Sequence, residues 1–144
     1  MILNIGLDVH GVIDRYPELF STLTKLWQRE GHVIHIITGQ EWENVEPQVA
    51  KYDITYHNHY SIVDFHKSIG TRMWVRSDKE GWWMDRNSWN CSKGNYATYH
   101  GLNLHFDDTS IYANSFPEWC TFIHVPKEGF VDIIQHIFNL DIDI

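Results

Sequence analysis

Short apolar runs that alternate with longer helical stretches, and stop at polar residues, constrain this chain more than any other feature. "ILNIGL" stops at Asp8, "VIHII" at Thr38 and Gly39, and "LNLHF" at Asp107 and Asp108. Runs this short and this apolar are buried on both faces, as strands of a parallel sheet are; a half-exposed strand would alternate polar with apolar. Parallel neighbours need a crossover, usually a helix. "YPELFSTLTKLWQREGH" supplies one, with Leu19, Phe20, Leu23, Leu26 and Trp27 on one stripe, Pro17 in its first turn and Gly31 at its end. "EWENVEPQVAKY" is a weaker helical pattern, interrupted by Pro47. "ITYH" reads as a third strand and "SIVDFHKS" as a short helix. "KGNYATYHG" reads as a helix stopped by Gly101, and "TFIHV" as the last strand. "GFVDIIQHIFNL" closes the pattern as an amphipathic helix, apolar at Phe130, Ile133, Ile134, Ile137 and Phe138. The alternation predicts an α/β fold: a Rossmann-like three-layer α/β/α sandwich with a mainly parallel sheet.

One interval breaks the alternation. "GTRMWVRSDKEGWWMDRNSW", from Gly70 to Trp89, is rich in Trp and charge and has a turn signal at "DKEG". It reads as a small hairpin or inserted flap at about 70–90. No repeat, low-complexity tract or linker divides the rest, so residues 1–144 are expected to form one domain carrying that insert. Trp74, Trp82, Trp83 and Trp89 are first of all packing material for a small insert. The other reading is that one or two of them stack on a base or ring of a bound molecule.

Charge narrows the partners. The formal net charge is -8. A nucleic-acid polymer or an anionic membrane surface selects basic faces, so both are disfavoured. A small anion is not, because a bound cation inverts the local field. Cys91 and Cys120 stand in no CxxC pair and read as reduced thiols. "MILNIGLD" lacks the basic and long apolar regions of a secretory signal, and no apolar run approaches the ~20 residues of a membrane span. The expected location is cytoplasmic, as a monomer or a homodimer.

In open parallel sheets, ligands bind beyond the carboxyl ends of the strands. An acid after one strand is ordinarily a turn or cap residue. Three strands ending in Asp8, in Thr38 and in the Asp107–Asp108 pair converge on one edge, and that points to a site.

These residues resemble the motifs of the haloacid dehalogenase-like superfamily of phosphohydrolases. That family opens with a strand and a DxDGT/V pattern, matched here by "DVHGVI"; its second motif is a Thr or Ser ending the next core strand, matched by Thr38 in "IITGQ". A Lys at the start of a later helix is its third, best matched by Lys93 in "CSKGNYATYHG", with Lys67 and Lys79 as rivals; a pair of acids after a further strand is its fourth, matched by "HFDDT". The motifs occur in order from residue 8 to residue 108. The stretches "HNHYSIVDFHKSIG" and "WWMDRNSWNCSKG" are also similar to bacterial and phage members of the superfamily with a small cap.

The resemblance implies a magnesium-dependent phosphohydrolase that acts on a small phosphomonoester, a nucleotide or sugar phosphate, through an aspartyl-phosphate. It makes Asp8 the nucleophile, Thr38 a donor to a phosphoryl oxygen, and Lys93 the charge that holds nucleophile and phosphoryl group together. Mg²⁺ would be held by Asp8, by the backbone carbonyl of His10 and by Asp107 or Asp108. Gly11 and its neighbours would offer backbone N–H groups to the phosphate, with Gly39 and Asp85 at the substrate. His10 stands where the family usually has a second aspartate, the general acid and base. Histidine transfers protons near neutral pH. Three outcomes stay open: His10 does that work, the enzyme is slow, or the protein binds a phosphorylated small molecule without turning it over.

Other polar residues have plainer readings. Asp14 and Arg15 read as loop and surface residues, and His66 and Lys67 as solvated. His35 and His105 read as hydrogen-bonded buried histidines. His57 and His59 form an HxH pair that would need a third ligand to hold zinc.

Overall fold

The computed structural model describes residues 1–75 and 81–138, without the side chains of Ile134, Gln135, Ile137 and Phe138. The expected turn at 78–81, the rival Lys79 and the apolar positions Ile134, Ile137 and Phe138 therefore lie wholly or partly outside the described residues. Five strands, β1 (Asn4–Leu7), β2 (Val33–Thr38), β3 (Asn58–Ser61), β6 (Leu104–Asp107) and β7 (Thr121–His124), form one sheet in the order β3-β2-β1-β6-β7. Every neighbouring pair is parallel. The fold is the expected α/β, Rossmann-like one. Chain order runs outward from β1 to one side and then to the other. The strand order therefore reverses between β1 and β6, where an open sheet leaves a crevice beyond its carboxyl ends.

Helices cover both faces. Ile5, Leu7, Ile34, Ile36 and Phe106 pack with Leu19, Phe20 and Leu23 of α1 (Pro17–Arg29), Val45 and Val49 of α2 (Trp42–Lys51) and Phe130 of α5 (Phe130–Phe138). Strand alternation sends Ile37 to the other face, where it packs with Tyr96 and Ala97 of α4 (Arg86–His100). That second face also carries Gly6, His35 and His105. His35 is buried and bonds Tyr96 Oη at 2.8 Å and Asn4 Oδ1 at 3.0 Å, which accounts for a histidine inside "VIHII".

Four sequence expectations need correction. Pro47 does not interrupt its helix: α2 runs through it, held by Val45 and Val49, one turn apart and both fully buried. The third strand is not "ITYH" but Asn58–Ser61. At the expected position the His57 ring, not a strand carbonyl, accepts the Ile34 N–H, at 3.0 Å, so regular pairing starts one residue later. The insert is shorter than 70–90. Two-residue strands β4 (Trp74–Val75) and β5 (Trp82–Trp83) form an antiparallel hairpin, and α4 starts at Arg86. Trp89 is thus a helix residue. His66, on α3 (Ile62–Ser68), is not solvated: it bonds Thr71 Oγ1 at 2.7 Å and Ser92 Oγ at 2.9 Å.

Candidate functional site

Asp8 follows β1 and Asp107 ends β6, so the reversal of strand order puts their carboxylates side by side. The Asp8 N–H donates to the Phe106 carbonyl at 3.0 Å, which carries the β1–β6 pairing on to the acid itself. α4 returns over this end of the sheet and delivers Lys93. Its Nζ donates to Asp8 Oδ1 at 3.0 Å and to Asp107 Oδ2 at 2.8 Å, and all three side chains are buried. The helix lies close because its next residue is glycine. A Cβ on Gly94 would stand 2.3 Å from the Ser115 carbonyl oxygen. The rival Lys67 points elsewhere, to Glu41 at 3.4 Å and over the Trp82 ring at 4.2 Å.

Asp107 is fully engaged. Besides Lys93, its Oδ2 meets His105 Nε2 at 2.9 Å, and its Oδ1 accepts the Thr109 N–H at 3.0 Å. Burial by itself would raise its pKa, but Lys93 and His105 hold it below the usual carboxylate range. Burial lowers the pKa of His105, so the ring is neutral and its Nε2–H is the donor. Burial also works against the Lys93 charge, yet Asp8 and Asp107 keep its pKa above the ordinary lysine value. Asp8 behaves differently. Burial pushes its carboxyl up to about 7, partly opposed by Lys93 and assisted by Asp107 and Asp108.

Oxygens of Asp8, Asp107 and Asp108 lie within 4.8 Å of one another. Three carboxylates face one ammonium, which leaves an excess of negative charge. Hard oxygen donors with surplus charge suit a divalent cation such as Mg²⁺. Asp108 is exposed and, among the described residues, accepts only the Thr109 hydroxyl, at 3.1 Å, so Asp8 and Asp108 are freer to act as ligands than Asp107. Among the described residues this is the one such cluster of metal-ligating side chains. The HxH pair is used otherwise: His57 accepts from Ile34, and His59 stacks on Trp42 at 4.0 Å.

After Asp8 the chain makes a tight turn. Gly11 has φ +86°, and a Cβ there would stand 2.1 Å from Asp108 Oδ2. Its N–H donates to Asp14 Oδ1 at 2.7 Å, so Asp14 shapes the turn and the Gly11 N–H is not left for a phosphate. The His10 side chain is partly exposed at the cavity, and no described residue hydrogen-bonds its ring. Thr38 is fully buried at the end of β2, with its Oγ1 accepting the Gln40 N–H at 3.2 Å. Gly39 makes room for Trp89, whose ring a Cβ would meet at 2.8 Å.

Asp8, His10, Gly39, Asp85, Lys93 and Asp108 all border one cavity of about 1070 Å³; Thr38, Gly11 and Asp107 stand behind its surface. Asp85 also caps α4, accepting the Ser88 N–H at 3.0 Å. His105 is the hydrogen-bonded buried histidine expected from the sequence, but its partner Asp107 was not foreseen, nor were the bonds made by Asp14 and Tyr112. His105 carried a signal: two residues before Asp107 on one strand, it shares its face. Asp14, three residues after Gly11, had the spacing of a turn acceptor. Tyr112, which accepts the Trp89 Nε1–H at 2.8 Å, carried none. The chain matches no family model, no curated protein and no solved structure, so the meaning of this acid–lysine cluster rests on its own chemistry.

Proposed function

We propose that the chain is a magnesium-dependent phosphohydrolase of haloacid dehalogenase-like type, acting on a small phosphomonoester. The observation that carries this reading is the buried Asp8–Lys93–Asp107 triad at the floor of a large cavity, with Asp108 beside it. A buried charge cluster costs stability, and such clusters concentrate at functional sites. Asp8, reached from the cavity, attacks phosphorus and forms an aspartyl-phosphate; the ester oxygen leaves with the proton it needs. Lys93 keeps the nucleophile oriented and offsets charge on the phosphoryl oxygens. Asp107, fixed by His105 and Thr109, orients Lys93. His10, whose ring no described residue hydrogen-bonds, faces the cavity and gives the leaving oxygen its proton, then takes one from the water that cleaves the intermediate. A magnesium ion held by Asp8, Asp108 and the His10 carbonyl would neutralise the repulsion between carboxylate and phosphate.

A second reading has one observation in its favour. A carboxyl whose pKa lies near 7 is largely protonated in weak acid and is then a poor nucleophile, so an Asp8 without a cation suits a protein that holds a phosphorylated ligand unchanged. Phosphate release from nucleotides and sugar phosphates, with and without magnesium, separates the two. Magnesium-dependent turnover that disappears in Asp8→Asn supports the enzyme. Loss of ~10²–10⁴-fold in His10→Ala for esters with poor leaving groups, with activated esters largely spared, assigns the proton transfer to His10. Stoichiometric recovery of an intact ligand with no turnover rejects the enzyme.

A further inference from the structure

Resting on the phosphohydrolase reading, we infer that the tryptophan wall above the acid–lysine floor holds the base of a nucleoside monophosphate, which makes the substrate a nucleotide and not a sugar phosphate. The floor of the cavity is small and charged: Asp8, Lys93 and Asp108. Its wall is aromatic and comes from two separate elements, Trp74, Trp82 and Trp83 of the hairpin and Trp89 of α4.

The wall is held in place by contacts at its edges. Trp82 Nε1–H donates to Glu41 Oε1 at 2.9 Å, and Lys67 sits over its ring. Trp89 is pinned by Tyr112 and by the missing Cβ of Gly39. Two indoles thus have their polar atom already used and offer the cavity their ring surface. Trp74 and Trp83 are directly opposite in the hairpin register, so their side chains stand together on one face. Trp74 is 44% exposed, and no described ring stacks on it. Packing an insert explains an indole that is covered; it does not explain one that lies open to a cavity. A planar base supplies the missing partner, since every base has a π-face.

Size agrees. Drug-sized ligands occupy cavities of roughly 300–1,000 Å³. At about 1070 Å³ this open cavity has room for a nucleotide. A nucleotide fills the floor with phosphate and reaches the wall with its base.

The test compares phosphate release from adenosine and cytidine 5′-monophosphates with release from ribose 5-phosphate. Tryptophan fluorescence is followed alongside, on adding adenosine or ribose. Base stacking predicts kcat/KM higher for the nucleotides by roughly five- to a hundredfold. It also predicts a saturable fluorescence change with adenosine alone. Trp74→Ala should collapse the preference, Trp74→Phe should restore much of it, and Trp119→Ala, an exposed tryptophan away from the cavity, should leave the ratio as it is. Equal turnover of ribose 5-phosphate, with Trp74→Ala lowering all substrates alike, overturns the inference and keeps the phosphohydrolase. Trp74-dependent binding of adenosine monophosphate without turnover of any compound rejects the phosphohydrolase and keeps the base wall. The absence of both a turnover preference and a nucleoside-specific fluorescence change overturns the inference outright.

Discussion

Asp8 concentrates the conflict between stability and function. Its carboxyl is ionised at a cost, because burial raises its pKa to about 7 while Lys93 is shared with Asp107. Asp8→Asn removes that cost and keeps the shape. The variant should lose turnover by more than ~10³-fold and gain about 1–3 kcal/mol of stability at pH 8 in chelator, read from phosphate release and denaturant unfolding. Gly11 is the other residue with a sharp expectation. Gly11→Ala puts a methyl into the Asp108 carboxylate at a positive φ. It should cost ~1–2 kcal/mol and weaken magnesium binding, measured calorimetrically, because Asp108 must move.

At the scale of elements, the packing of α4 against the short helix Ser110–Ser115 decides where Lys93 ends up. Gly94 allows that approach, although glycine is a poor helix former. Gly94→Ala gains up to ~1 kcal/mol of helix propensity and loses more by collision with the Ser115 backbone. Net destabilisation of ~1–3 kcal/mol is expected in a thermal melt, with reduced turnover, since α4 is pushed away from the Ser110–Ser115 helix and carries Lys93 with it. A gain in stability would mean that α4 has room to spare. The hairpin, by contrast, was legible only in part. Its tryptophans and glycine marked an interruption, and Asp85 reads as a substrate-site residue of the insert; that it also caps α4 is seen only in its bond to Ser88.

Across the whole molecule, pH acts through the buried face toward α4. Burial, with His100 and His57 nearby, lowers the His35 pKa from 6.5 to about 4. The folded state therefore binds the proton less well than the unfolded chain. Stability is full above the unfolded pKa and is lost as pH falls from 6.5 toward 4, by up to ~3 kcal/mol. Asp8, raised to about 7, contributes with the opposite sign over the same range. The His35 part is therefore read as the difference between wild type and His35→Gln in denaturant unfolding at pH 7 and pH 4.5, where the wild type should lose more stability than the variant. A dependence unchanged in His35→Gln would move its source elsewhere. Magnesium should raise the melting temperature, by the equivalent of ~2.7 kcal/mol at a hundred times its Kd, and Asp108→Asn should weaken that rise.

What the sequence by itself determined is the local pattern: apolar runs buried on both faces, helices between them, and polar residues where the runs stop. Burial on both faces leaves a signature within each run, and that signature was enough for the parallel α/β sheet and for the ends that carry Asp8, Thr38 and Asp107. Pairing between distant residues leaves none. Lys93 meets Asp8 across 85 positions because β6 adds beside β1 and α4 crosses the site, and until then Lys93 was the best match, with Lys67 and Lys79 as rivals. The same holds for β3, whose start depends on a His57 ring reaching a neighbouring strand. Which of the two terminal acids is free was likewise decided in three dimensions: His105, Lys93 and Thr109 converge on Asp107 and leave Asp108 at the cavity.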